Sequence, residues 1–168
     1  MATITRRGGT VQTVGDLPAV GSTAPAFVLT DTDMGDVTRP TGVRTVLNIF
    51  PSVDTGTCAR SVRTFNGLAA GLVDTRVICV SADLPYALAR FCGAEGIERV
   101  TTASSFRSTF GTDYGMTMTG GDMRGLLARA IVVLDADGTV LHTQVVPDIG
   151  QEPDYEAALA ALGAAGSR

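Results

Sequence analysis

The stretch Thr45-Val46-Leu47-Asn48-Ile49-Phe50-Pro51-Ser52-Val53-Asp54-Thr55-Gly56-Thr57-Cys58 carries a strand, a turn and a helix start in fourteen residues. Its first six residues form a run that reads as a buried strand over 45–50, stopped by Pro51. A polar turn follows, in which Asp54 or Thr55 is placed to cap a helix. Beyond it Cys58, Val62, Phe65, Ala69 and Leu72 recur at steps of four and three, the stripe of one helix face over about 56–71. Cys58 therefore falls in the first turn of a helix, on its inward face, just past the end of a strand. Free backbone N–H groups and the helix dipole favour a thiolate there. On position alone a reactive thiolate is the stronger of two readings, the other being a packing role.

Working outward, Val77-Ile78-Cys79-Val80-Ser81 is a second buried strand, so the centre reads as a βαβ unit with parallel strands and a right-handed crossover. Pro85 opens a further helix that runs to about Phe91 and is halted near Gly93. A short strand at Val100-Thr101 and a short helix from Ser105 to Phe110 follow. Tyr114 to Gly125, rich in Gly, Met and Thr, reads as an irregular loop. Ala130 to Leu134 and Thr139 to Val146, joined through Asp137-Gly138, form a hairpin, and Asp154 to Leu162 is the closing helix. Upstream, Ile4-Thr5 and Val11 to Val14 flank Arg-Arg-Gly-Gly-Thr as an N-terminal hairpin within about 1–15. A loop follows, then a strand at Phe27 to Thr30, a polar turn over 31–36 and a loop over 37–44. This order suggests an α/β protein with a thioredoxin-like sandwich and an added N-terminal hairpin, one domain over 1–168.

Composition excludes several classes. A net charge of −4 with no basic run argues against nucleic acid and against an anionic membrane surface as main partner. No stretch approaches the roughly 18 consecutive apolar residues of a spanning helix. No apolar leader follows Met1, and the expectation is a cytoplasmic protein. All 13 basic side chains are arginine. Without lysine, Walker-type phosphate binding, Schiff-base chemistry and pyridoxal-phosphate attachment cannot operate.

Three cysteines remain. Cys79, mid-strand between Ile78 and Val80, reads as a small core hydrophobe. Cys92, at the predicted end of its helix, is open between a second redox thiol and a bystander. Cys58 and Cys92 lie too far apart in sequence for a Cys-x-x-Cys dithiol, which disfavours a general dithiol oxidoreductase. A thioredoxin-like adaptor with incidental cysteines stays as the rival class. One histidine and scattered cysteines are a poor zinc set. His142, the only base available to a cysteine protease, sits in the final hairpin and reads as a surface strand residue. Cys58 to Arg63 is one residue too short for a cysteine-phosphatase loop. Arg129, entering a buried strand, is open between a structural ion pair and an approach to Cys58.

Pro51-x-x-x-Thr55-x-x-Cys58 resembles the peroxiredoxin active-site motif. The fuller Asn48 to Thr55 phrase, with Cys58, Ser61-Val62-Arg63 and Phe65-Asn66, is similar to the bacterial thiol peroxidase subfamily. So are Val80-Ser-Ala-Asp-Leu-Pro85, Arg90-Phe-Cys-Gly-Ala-Glu-Gly96, Gly125-Leu-Leu-Ala-Arg-Ala130 and Glu152-Pro-Asp-Tyr-Glu-Ala-Ala158, in the same order across nearly the whole chain. The resemblance implies the peroxiredoxin variant of the thioredoxin-like fold, with a central mixed sheet flanked by helices. It implies an atypical two-cysteine enzyme with Cys58 as peroxidatic and Cys92 as resolving cysteine, and Pro51, Thr55 and Arg129 completing the active site. It further implies reduction of hydrogen peroxide and alkyl hydroperoxides, recycling by thioredoxin, a homodimer, and no metal, haem or flavin. Met116, Met118 and Met123 are expected to line an apolar approach for alkyl groups. The chain departs from the family at Gly56-Thr57, where relatives often carry proline and an apolar residue. It also departs in the 35–44 region, which is shorter and lacks a Gly-Lys pair.

Overall fold

In the computed structural model, which describes residues 1–166, the chain runs through β1 (Thr3–Arg6), β2 (Gly9–Gln12), β3 (Leu29–Asp31), β4 (Asp36–Val37), β5 (Arg44–Ile49), α1 (Gly56–Ala69), β6 (Thr75–Ser81), α2 (Pro85–Glu95), β7 (Thr101–Ser104), α3 (Phe110–Asp113), β8 (Ala130–Leu134), β9 (Val140–Val145) and α4 (Tyr155–Gly166). β1 and β2 form a separate antiparallel ribbon, turned by Arg7 and Gly8 at φ 49° and 79°. Positive φ at both central residues matches the right-handed twist of a tight hairpin. The other seven strands form one sheet in the order β4-β3-β7-β6-β5-β8-β9. β5, β6 and β7 are parallel, and the remaining pairs are antiparallel. The expected thioredoxin-like mixed sheet with an N-terminal hairpin is thus the observed architecture.

β5 is apolar without alternation because both of its faces are covered. Val46 turns, with Val77, Ile131 and Val133, toward Val62 and Phe65 of α1, Leu88 of α2 and Ala158 of α4. Leu47 and Ile49 turn, with Ile78 and Val132, toward Ile4 of the hairpin, Phe110 and the buried chain Tyr114–Met118. Among the described residues no helix is long and apolar enough to cross a membrane.

Three local expectations change. α2 does not stop near Gly93; it continues to Glu95 and ends at Gly96, whose φ of 65° is left-handed and whose N–H donates to the Cys92 carbonyl. Gly93 is an ordinary helical residue, so Cys92 sits inside the last turns of α2 rather than at its end. The helix expected over Ser105 to Phe110 is instead a turn, with α3 beginning at Phe110. The Ser108 N–H donates to the Ser105 carbonyl at 3.0 Å, a single turn, and the Phe110 N–H goes to Ser108 Oγ at 3.1 Å instead of back to the Phe106 carbonyl. The 114–125 segment has no regular element, as expected, but it is core: Tyr114, Met116 and Met118 are buried.

Candidate active site

The loop between β5 and α1 is fixed from outside. Asp83, just past β6, accepts hydrogen bonds from Ser52 Oγ at 2.7 Å, the Val53 N–H at 2.9 Å and Ser81 Oγ at 2.6 Å. Asp54 pairs with Arg90 of α2 at 3.0 Å. Thr55 is the N-cap residue of α1, but neither it nor Asp54 caps with its side chain. The Thr55 hydroxyl donates backwards to the Ser52 carbonyl at 3.1 Å. The N–H groups of the first turn therefore stay open toward the space in front of Cys58.

Cys58 is fully buried. Arg129, at the entry to β8, is 1% exposed and donates from Nη2 to Cys58 Sγ at 3.4 Å and to the Ile149 carbonyl at 2.8 Å. Its Nε and Nη1 are buried with no partner. Among the described residues no carboxylate forms an ion pair with Arg129, so of the two sequence readings the structure has the approach to Cys58. A buried guanidinium with two idle donors is costly unless an anion or a polar ligand meets it. A cleft of about 160 Å³ is bounded by Pro51, Thr55, Gly56 and Arg129, with Arg6 and Met123 also on its wall. A larger cavity of about 470 Å³ runs along Phe27, Val28 and Arg107. Cys58, fully buried, lines neither; the smaller cleft is the one that Pro51, Thr55 and Arg129 line.

The structure thus brings Pro51, Thr55, Cys58 and Arg129 to one place. Cys92 does not line the cleft; half-buried on α2, its sulfur lies 3.2 Å from Thr102 Oγ1 of β7. All three cysteines are free. Cys79 is fully buried, 3.6 Å from Asn48 Nδ2, and burial pushes its thiol up to about 12. Asn48, Cys79 and Thr102 are register neighbours on β5, β6 and β7. Asn48 Nδ2 also donates to Ser61 Oγ at 3.2 Å, and Ser61 Oγ donates to the Cys58 carbonyl at 2.8 Å. A polar row therefore crosses the sheet beneath α1 and α2, with Cys58 above one end and Cys92 above the other.

Of the three loop methionines expected at an apolar approach, only Met123 reaches the cleft; Met116 and Met118 are buried in the core. His142 is half-buried on β9 rather than a plain surface residue, and it does not line the cleft. At the departure Gly56-Thr57, a Cβ on Gly56 would meet nothing, and the Thr57 hydroxyl donates to the Gly150 carbonyl at 3.2 Å. The site also includes residues that sequence reasoning missed: Arg6, Asp83 and Thr102. Asp83 stands in the quoted Ser-Ala-Asp-Leu-Pro segment, the one signal that pointed near it.

Residues 19–159 match the redoxin family. This chain belongs to that family. Within it the chain groups with the thiol peroxidases: it is 61% identical over 166 residues to the thiol peroxidase of Mycobacterium tuberculosis (strain H37Rv), covering 98% of this chain and all of that one. It is 54% identical to the thiol peroxidase of Corynebacterium glutamicum, over 93% of this chain and 96% of that one. The crystal structure of a peroxiredoxin-like protein from Aquifex aeolicus superposes with a TM-score of 0.92 at 34% identity, over 98% of each chain. The hairpin of this redoxin lies before the matched span 19–159, yet the thiol peroxidase likeness extends over nearly all of the chain.

Proposed function

We propose that this chain is a thiol-specific peroxidase that reduces hydrogen peroxide and organic (alkyl) hydroperoxides, with Cys58 as peroxidatic and Cys92 as resolving cysteine. The single observation that carries the reading is the buried Arg129 guanidinium, 3.4 Å from Cys58 Sγ with two further nitrogens buried and unpartnered.

The Cys58 thiolate attacks one peroxide oxygen, the O–O bond breaks, and the departing oxygen leaves as hydroxide or alkoxide, which takes up a proton. Arg129 and the open N–H groups of the first α1 turn stabilise the charge that develops on that oxygen. Thr55 positions the peroxide, and Pro51 keeps water from the sulfur. Cys58 is left as a sulfenic acid. The Cys92 thiol condenses with it, releasing water and forming an intramolecular disulfide. A thioredoxin dithiol then reduces that disulfide by exchange and is itself oxidised. Because Cys58 is buried on α1 and Cys92 rests against Thr102, both segments must open locally for the disulfide to close.

The same reading makes the protein a cytoplasmic antioxidant homodimer of one domain. Support for a partner surface comes from Leu84, Tyr86 and Phe106, exposed by 54%, 73% and 41%. Leu84 and Tyr86 sit at the start of α2 and Phe106 on the turn after β7, beyond the ends of the adjacent strands β6 and β7.

Cys58→Ser should abolish peroxide reduction. Cys92→Ser should consume about one equivalent of peroxide and leave a sulfenic acid trappable by dimedone, and the oxidised wild type should show a 58–92 linkage by mass spectrometry. Thioredoxin-driven turnover by Cys58→Ser would end the assignment.

A further inference from the structure

The cleft that Arg129 lines has walls that the chemistry above does not use. Pro51, Thr55 and Arg129 line it, and so do Arg6, Met123 and Ile149. Hydrogen peroxide is two oxygens. A cleft of about 160 Å³ is several times the ~30 Å³ that one water occupies in the liquid. The remaining space, beside Arg6 and Met123, is left for the substituent of an alkyl hydroperoxide.

Arg6 reaches the wall because the N-terminal ribbon is sewn to the segment after β9. The Thr5 N–H donates to the Pro147 carbonyl at 2.8 Å, and the Ile149 N–H donates to the Thr5 carbonyl at 3.0 Å. The Ile149 carbonyl in turn receives Arg129 Nη2. The ribbon therefore supports the loop that holds Arg129 and delivers Arg6, the last residue of β1, to the cleft mouth. The head of Arg6 is engaged by Asp122, Nε to Oδ1 at 3.0 Å and Nη2 to Oδ2 at 2.8 Å, a two-point fork. That pairing raises the Arg6 pKa and lowers that of Asp122. With its charge answered outside, Arg6 offers the cleft its methylene stem. Asp122 precedes Met123, so the same fork also fixes where the thioether stands.

We infer that Arg6, clasped by Asp122, is a specificity-determining residue: its stem and Met123 form the wall against which the organic substituent of a hydroperoxide lies. This rests on the peroxidase reading of the same cleft. The ion pair serves to turn a cationic mouth into a neutral, apolar one. Removing the stem weakens the grip on alkyl groups, and removing only the carboxylate converts the wall into a free guanidinium that prefers anionic substrates.

The test is the ratio of kcat/KM for cumene hydroperoxide to kcat/KM for hydrogen peroxide, measured on the full chain. Arg6→Ala should lower that ratio about tenfold, the low end for a lost apolar contact in a substrate pocket. Arg6→Met keeps an apolar stem without the ion pair and should retain most of the ratio. Asp122→Asn should raise the preference for a hydroperoxy fatty acid over its methyl ester several-fold, with the gain fading at high salt. An Arg6→Ala ratio equal to wild type overturns the inference. So does an Arg6→Met variant as impaired as Arg6→Ala, since that outcome makes the ion pair a structural tie of the ribbon. Failure of the wild type to reduce either peroxide would instead strike the peroxidase reading itself.

Discussion

Arg129 meets Cys58 through Nη2 alone, at 3.4 Å, while its Nε and Nη1 are buried and unpartnered. This arrangement opposes function to stability. A buried donor without an acceptor costs about 1–3 kcal/mol, and more where the group is charged. On the proposed mechanism those donors gain partners when a peroxide, or the charge that develops on it, is bound. Arg129→Met should therefore slow peroxide consumption by about 10²–10³-fold, the scale for losing a donor aimed at a developing oxyanion. It should leave the melting temperature unchanged or higher. Arg129→Lys keeps the charge but loses the planar fork, and should recover only a small part of the rate. Stopped-flow peroxide reduction and thermal unfolding of the same samples check both halves.

Asp83 touches no reacting atom, yet it holds the loop before Cys58 through Ser52, the Val53 N–H and Ser81. Asp83→Ala leaves three groups without their acceptor and should cost about 1–3 kcal/mol of stability. The loop should loosen. Alkylation of the buried Cys58 by iodoacetamide should then quicken while peroxide reduction slows, two opposite changes that simple unfolding does not produce together at temperatures below the transition. Asp83→Asn, with one carbonyl oxygen left to accept, should fall between Ala and wild type in both rates.

What was legible in the sequence was what depends on neighbours in the chain. The apolar run of β5, the stripe from Cys58 to Leu72 and the Asp137-Gly138 turn each carry their own signal, and they were enough to place Cys58 at a helix start. What was illegible depends on distant partners. Arg6 and Asp122 are 116 positions apart, and nothing near either residue announces the other. Asp83 looks like an ordinary helix-preceding acid until Ser52 and Val53 are folded onto it. The end of α2 was misread because Gly93 and Gly96 are equivalent on paper, and only the backbone tells which one turns left-handed. Met116 and Met118 differ from expectation for the same reason: an irregular, glycine-rich segment does not announce that β8 and the N-terminal ribbon bury it, while Met123 does reach the cleft.

Gly115 makes that buried segment possible. Its φ of 70° is left-handed, and a Cβ there would run into the backbone of Asp16. The chain crosses at this point: the Gly15 N–H donates to the Gly115 carbonyl at 3.2 Å. Gly115→Ala should therefore destabilise by more than the ~1 kcal/mol of conformational strain alone, since a backbone neighbour must also move. Because the strand–helix unit bearing Cys58 is elsewhere, peroxide reduction at low temperature should survive while the denaturant midpoint falls. A midpoint equal to wild type would show that the crossing is looser than this geometry implies.

Cys79 gives the fold a weakness at high pH. Burial pushes its thiol up to about 12, and burial likewise pushes the Tyr155 hydroxyl up to about 12. Below about pH 7.5 both groups are protonated whether the chain is folded or not, and neither makes stability depend on pH. Above that, the unfolded chain releases the Cys79 proton while the folded protein retains it until about pH 12. The unfolded state then binds fewer protons, so stability must fall as pH rises through this window, and level off beyond it. Tyr155 adds a smaller loss from about pH 10 upward, because it is partly exposed and solvent screens it. Cys79→Ala removes the contribution that sets in at the lowest pH. It should be less stable than wild type at pH 8, where it leaves a small void and takes a partner from Asn48, and the deficit should shrink as the pH approaches 11. Urea unfolding of both proteins at pH 8, 9.5 and 11, with reductant present throughout, gives the two slopes. Parallel slopes would mean that the Cys79 thiol ionises in the folded protein as readily as in the unfolded chain, and that water reaches the centre of β6.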